Sequence, residues 1–342
     1  MKNSKSKPIA ISSVRTQLRQ FSGELLLNLV DTVERAARED ARTCQEETHL
    51  ISPVMVYTVL AVFASLITMR LFCFFQSIGR RDNSFHGGSA MRTVAVVNQK
   101  GGSGKTTTSV NLAAALGKGR KKVLVIDLDA QMSATAWYGI EPVDKGVFAV
   151  FADNGNLTDI VVNTGITGVD IIPASSWLVG VERALANEVG TETILRRKIE
   201  ELESSRWDFI LIDCPPALGI LTVNALVAAD EVLVPVEAHV MALAGLAQLM
   251  ETVDVVRARL NSDLEISGIV ACRVDARTRH AQDVVTQLRE HFGELVFDTV
   301  IRENVRLAEC PSFAQPITEY APSSTGAKDY LALAREFRKR GK

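Results

Sequence analysis

The sequence predicts an α/β protein, a mainly parallel sheet with helices on both faces, preceded by a mostly helical N-terminal extension. Three observations predict it. Short apolar, β-branched runs recur at 94–98, 123–127, 169–173, 209–213, 232–236 and 266–272. Stretches of helical pattern separate them, clearest at 106–116, 242–260 and 281–292. The apolar runs are continuous rather than alternating, as in strands covered on both faces by crossover helices.

The bulk numbers agree with a large core. Of 342 residues, 47% are hydrophobic and 23% charged, which argues against global disorder. A formal net charge of -2 excludes a uniformly basic nucleic-acid binder. A local basic face stays open, because steering depends on where charge sits. Cys44, Cys73, Cys214, Cys272 and Cys310 form no Cys-x-x-Cys pair, and their odd number argues against a disulfide framework. Reduced thiols in a cytoplasmic protein fit better. His239, His280 and His291 share no metal-ligand spacing.

The first ninety residues differ in character. Residues 1–50 are polar, with a weakly amphipathic stretch at 14–38; residues 51–79 are apolar apart from Arg70; residues 80–90 read as a linker rich in Gly, Ser and charge. A spanning helix needs about 20 mainly apolar residues, so 54–78 is long enough if Arg70 snorkels to an interface. Arg80 and Arg81 would then keep the C-terminal side in the cytoplasm. A secretory signal fits poorly, since the run starts late and lacks a clear cleavage site. Three readings stay open: a membrane anchor, helices that bind a soluble partner, or a segment ahead of a true start at Met91.

The remaining region is 91–342, and its strongest signal follows the first strand. Asn98-Gln99-Lys100-Gly101-Gly102-Ser103-Gly104-Lys105-Thr106-Thr107 joins a strand to a helix, the context of a phosphate loop. Glycines let backbone N–H groups turn inward around phosphates, and the helix adds its positive end. Gly101, Gly102, Ser103, Gly104, Lys105, Thr106 and Thr107 are the expected nucleotide-binding set. Lys105 should reach the β- and γ-phosphates, and the Thr106 hydroxyl should ligate Mg²⁺.

Two apolar strands end in carboxylates, at Asp127-Leu-Asp129 and at Asp213. Such ends lie on the carboxyl edge of the sheet, where α/β proteins bind ligands. Asp213 occupies the position of a Walker B aspartate and should hold Mg²⁺, through water.

Gln99 stands where the common phosphate loop has its first glycine, and Lys100 follows it. Lys-Gly-Gly-x-Gly-Lys-Thr-Thr resembles the deviant Walker A loop of the ParA, Soj and MinD family of phosphate-loop nucleotide triphosphatases. The resemblance extends over about 91–338, through Ile212-Asp-Cys-Pro-Pro216, Val274-Asp-Ala-Arg277-Thr, Ile301-Arg-Glu-Asn-Val-Arg306 and Tyr320-Ala-Pro-Ser-Ser-Thr325. Among these family members it looks most like ParA.

The resemblance implies ATP and Mg²⁺ as cofactors and a homodimer when ATP is bound. It gives Lys100 the role of reaching across the dimer to the partner's phosphates. It gives Asp129 the attacking water, with Asp127 supporting the metal. It places Arg277 and Arg306 on a face for nonspecific DNA, with Arg273, Arg279 and Arg302 as neighbours. A ParB-like centromere-binding protein would stimulate hydrolysis that is slow until the dimer forms. The expected setting is cytoplasmic and nucleoid-associated. The alternative is a membrane-localised positioning ATPase of the MinD sort, although residues 330–340 are short of bulky apolar side chains for an amphipathic anchor. Two departures stand out: Ala130 where the family usually has Pro, and Met132-Ser133 where it often has Gly-Asn.

Overall fold

A computed structural model of the protein describes residues 91–340, except 187, 204, 239–241 and 276. The divisions drawn at 1–50, 51–79 and 80–90 lie outside the described residues, as do the membrane tether read into 54–78, Cys44, Cys73 and His239.

Seven strands form one sheet: β1 (Arg92–Val96), β2 (Val123–Asp127), β3 (Val162–Asn163), β4 (Val169–Ile172), β5 (Phe209–Asp213), β6 (Glu231–Glu237) and β7 (Glu265–Cys272). Their order is β3-β4-β2-β5-β1-β6-β7. Every neighbouring pair is parallel except β3 with β4. The six expected strands are all present. β1 ends two residues earlier than expected, because the chain turns into the loop after Val96. β3 is an addition of two residues, too short to leave a periodic signal.

Alternate residues of a strand point to opposite faces, and both faces are covered. Ala95, Leu124, Ile126, Ile210, Ile212 and Val234 enter one core, with Leu226, Leu249, Val253 and Leu288 from the helices Ile220–Ala228, Ala242–Arg259 and Arg279–Phe292. Val94, Val96, Val125, Leu211 and Val270 enter the other. There they meet Leu112 and Leu116 of the helix Lys105–Lys118, and Tyr330, Leu333 and Phe337 of the helix Thr325–Arg340. Strands with two buried faces explain the continuous apolar runs. Among the described residues, no helix is long and apolar enough to cross a membrane.

Register then positions the chemistry. Asp213 lies opposite Val96 on β1 and opposite Asp127 on β2. Three neighbouring strands therefore end level, and the loops that leave them share one edge of the sheet.

Candidate functional site

The loop after β1 is pinned before it turns. The Asn98 amide donates to the Pro235 carbonyl at 2.6 Å, and its own oxygen accepts the Lys100 N–H at 3.0 Å. The turn then needs left-handed backbone at Gly102 (φ 75°) and Gly104 (φ 93°), a conformation that glycine adopts without strain. Gly104 caps the helix Lys105–Lys118 with no side-chain hydrogen bond, and no acidic residue stands in the first turn. The free N–H groups of that turn, with the helix dipole behind them, favour an anion.

Lys105 lies beneath this loop, 7% exposed, with Nζ 3.5 Å from the Lys100 carbonyl oxygen. Burial lowers its pKa, and the charges of Asp213 and Asp129 work the other way. Lys100 points elsewhere. Its ammonium reaches Glu237 at the end of β6, at 2.6 Å, and Arg273 approaches the same carboxylate at 3.0 Å.

The two strand-end carboxylates are both fully buried. The Ser109 hydroxyl donates to Asp213 Oδ1 at 2.9 Å, while Oδ2 has no hydrogen-bond partner among the described residues. Burial pushes the Asp213 carboxyl up to about 7, helped by the charge of Asp127; Thr106, Ser109 and Lys105 pull it back. Asp127 is filled. Its Oδ2 accepts the Thr135 N–H at 2.9 Å and the Thr135 hydroxyl at 2.7 Å, and its Oδ1 accepts the Asp129 N–H at 3.1 Å. Burial raises Asp127 as well, to about 6, against the pull of those three donors. Three donors of the chain thus engage the Asp127 carboxylate, two on Oδ2 and one on Oδ1.

Asp129 is half-buried, and its Oδ1 accepts the Gln131 N–H at 3.0 Å. The next residues turn sharply. Met132 has φ 55° and ψ 30°, and its N–H donates to the Asp129 carbonyl at 2.8 Å. A glycine would hold that backbone without strain, which gives the Met132 departure a physical meaning.

The two arginine segments adjoin. Val274 pairs with Arg302 in a parallel bridge, flanked by Val274 N–H to Ile301 O and Glu303 N–H to Val274 O. Arg277 is exposed and forks onto Asp275 through Nε and Nη2, both at 2.9 Å. Arg306 meets Glu309 at 3.1 Å, and the same carboxylate accepts the Tyr320 hydroxyl at 2.8 Å. Arg302 is held by Asp329, which is 6% exposed, through its backbone N–H and its guanidinium. Arg273 and Arg279 are exposed.

Sequence reading missed Ser109, Thr135 and Glu237 as parts of this edge. Only Ser109 left a signal, one helical turn beyond Lys105 on the same face. Among the described residues no three His, Cys, Asp or Glu side chains are grouped to hold a metal ion. A divalent cation at Asp213 would therefore take most of its oxygens from water and phosphate, as Mg²⁺ does.

The profile of a family described as "AAA domain" matches residues 91–266. The chain is 44% identical over 247 residues to the sporulation initiation inhibitor protein Soj of Bacillus subtilis, covering 72% of this chain and 97% of that one. It is 46% identical over 246 residues to the chromosome-partitioning ATPase Soj of Thermus thermophilus, covering 72% and 95%. Its fold matches the crystal structure of cobyrinic acid a,c-diamide synthase from Mycobacterium smegmatis with bound ATP analog and magnesium. That match has a TM-score of 0.64 at 33% identity and covers 72% of this chain and 93% of that one.

Proposed function

The chain belongs to the ParA/Soj/MinD family of phosphate-loop ATPases, and from that premise we propose that it is an ATP-driven switch for partitioning DNA. ATP binding joins two copies, and the dimer holds nonspecific DNA. A ParB-like partner then stimulates hydrolysis and release, and so moves or positions chromosome or plasmid cargo. Its setting is the cytoplasm, on the nucleoid.

The arrangement of the two lysines carries this reading. Lys105 is buried under the loop, where it would face the phosphates of its own nucleotide, while Lys100 extends to a carboxylate at the rim with its side chain 45% exposed. One subunit therefore holds one cation to its own ATP and offers the other at the surface, toward a partner's ATP. A second cation that arrives only on dimerisation would make hydrolysis depend on the dimer.

The remaining roles follow from place. The N–H groups of Gly101, Gly102, Ser103, Gly104, Lys105, Thr106 and Thr107 cradle the phosphates. Thr106 and Asp213 fit Mg²⁺, the unpartnered Asp213 Oδ2 being the opening that a cation or its water would fill. When bound, Mg²⁺ supplies charge neutralisation at the phosphates. Asp129 orients the attacking water. Arg277 and Arg306 supply phosphate contacts without base readout, and both are exposed side chains that exchange a partly buried carboxylate partner for a DNA phosphate at small cost. Arg302, tied to a buried carboxylate, is the less exchangeable neighbour.

The membrane alternative loses one of its means. In the helix Thr325–Arg340 the apolar residues Tyr330, Leu333 and Phe337 are buried in the core, so they are not free to enter a bilayer.

The test is binding of the full chain to nonspecific duplex DNA with ATP and with ADP across a salt series. ATP-dependent, salt-sensitive binding that Arg277→Glu abolishes is expected. Absence of binding in both states, with dimerisation still ATP-dependent, would overturn the DNA track in favour of a membrane or protein surface.

A further inference from the structure

We propose that Thr135 is a positioning residue for ATP hydrolysis, acting through Asp127 on the backbone that carries Asp129. The inference rests on the reading above that Asp129 orients the attacking water.

A continuous relay supports it. The Ala174 N–H, just beyond β4, donates to Thr135 Oγ1 at 3.0 Å. That hydroxyl donates to Asp127 Oδ2 at 2.7 Å, and the Thr135 N–H donates to the same oxygen at 2.9 Å. Asp127 Oδ1 then accepts the Asp129 N–H at 3.1 Å. Ala174 and Asp127 are fully buried and Thr135 is 2% exposed, so water does not compete for these bonds.

Each group has only one workable arrangement. A hydroxyl has one proton, and Thr135 gives it to the carboxylate while accepting from the amide. Asp127 is fully buried, and its donors are Asp129 in the loop and Thr135 in the helix that follows it. The amide of Asp129 is thereby fixed relative to two neighbouring strands, β2 and β4. The loop itself adds a bond from Met132 N–H to Asp129 O, which fixes the carbonyl side of the same residue. Asp129 keeps a half-buried side chain, but its main chain is held from both ends.

The relay also explains why the two strand-end carboxylates differ. Asp213 has an oxygen with no hydrogen-bond partner among the described residues, whereas both oxygens of Asp127 are engaged by Thr135 and Asp129. Thr135 itself bonds the Asp127 oxygen that Asp129 does not, and acts on Asp129 through that carboxylate. Its loss would let the Asp129 backbone drift, and displacements on the order of 1 Å in a reacting group cost about 10²-fold in rate.

The experiment compares full-length wild type with Thr135→Val, Thr135→Ala, Thr135→Ser and Asp129→Ala. It measures kcat and KM for phosphate release from ATP, and affinity for a fluorescent ATP analogue. Thr135→Val keeps the shape but removes the hydroxyl; Thr135→Ala leaves room for a water and serves if the valine variant does not fold. The expected result is a fall in kcat of about 10- to 100-fold in Thr135→Val or Thr135→Ala, with analogue affinity near wild type, and recovery of kcat in Thr135→Ser. Wild-type kcat in a folded valine or alanine variant would overturn the proposal. So would an equal loss of kcat and analogue affinity, or a serine variant as slow as the others. If Asp129→Ala hydrolyses ATP like wild type, the assignment of the water to Asp129 fails instead, and that outcome is read separately from the threonine series.

Discussion

Asp127 and Asp213 end neighbouring strands, stand opposite each other in register and are equally closed to solvent, yet their chemistry diverges. Asp127 is surrounded by donors from its own chain, two from Thr135 and one from Asp129. Asp213 has the Ser109 hydroxyl on one oxygen and, among the described residues, no hydrogen-bond partner on the other. Burial raises the pKa of both carboxylates. Whether a buried carboxylate serves the fold or awaits a ligand is decided by how many of its lone pairs the protein fills.

The largest expected effect tests the open oxygen. Asp213→Ala should lower kcat for ATP hydrolysis about 10²- to 10³-fold with magnesium in excess, measured as phosphate release. Near-normal turnover would mean that the open oxygen serves no cation.

Stability in the absence of nucleotide and metal should separate the pair next. The folded value of Asp213 is raised from 3.8 to about 7, so the folded state holds the proton more tightly than the unfolded chain. Its favourable contribution is complete below the unfolded value and is lost as pH rises through the folded one. Asp213→Asn removes that loss and is expected to gain about 1–2 kcal/mol above neutral pH, with a flatter dependence of melting temperature on pH. Asp127→Asn instead sets an amide NH₂ against donors already in place. It should lose about 1–3 kcal/mol. Thermal melting of both variants across pH checks this, and the same sign for both would erase the distinction.

The smallest effect concerns the loop on the filled side. Met132→Gly relieves left-handed strain of about 1–2 kcal/mol but restores chain entropy of about 0.5–1 kcal/mol to the unfolded state. A net gain of up to about 1 kcal/mol in denaturant unfolding is expected, and a clear loss would show that the Met132 side chain contributes packing that outweighs the strain.

Much of the fold was legible because its signals are local. A continuous apolar run of five to eight residues announces a strand with two covered faces, and Gly-Gly-x-Gly-Lys-Thr after such a run announces a phosphate loop. The placement of Lys105 and Asp213 at one edge of the sheet was legible for the same reason. β3 was not, since two residues at a sheet edge carry no period. The donors around Asp127 were not legible either: an aspartate at a strand end looks the same in sequence whether its oxygens are free or hydrogen-bonded.

Local pattern in the chain was enough for the strand and helix types, the two-sided burial of the sheet, the phosphate loop and the strand-end carboxylates, because each depends on neighbours within a few residues. What those groups touch depends on how distant segments fold together. Ser109 meets Asp213 across 104 positions, Lys100 meets Glu237 across 137, and Ala174 reaches Thr135 across 39. Strand order and register bring these partners together, and hydrogen bonds, which fail beyond about 3.5 Å, then give two equally buried aspartates different roles.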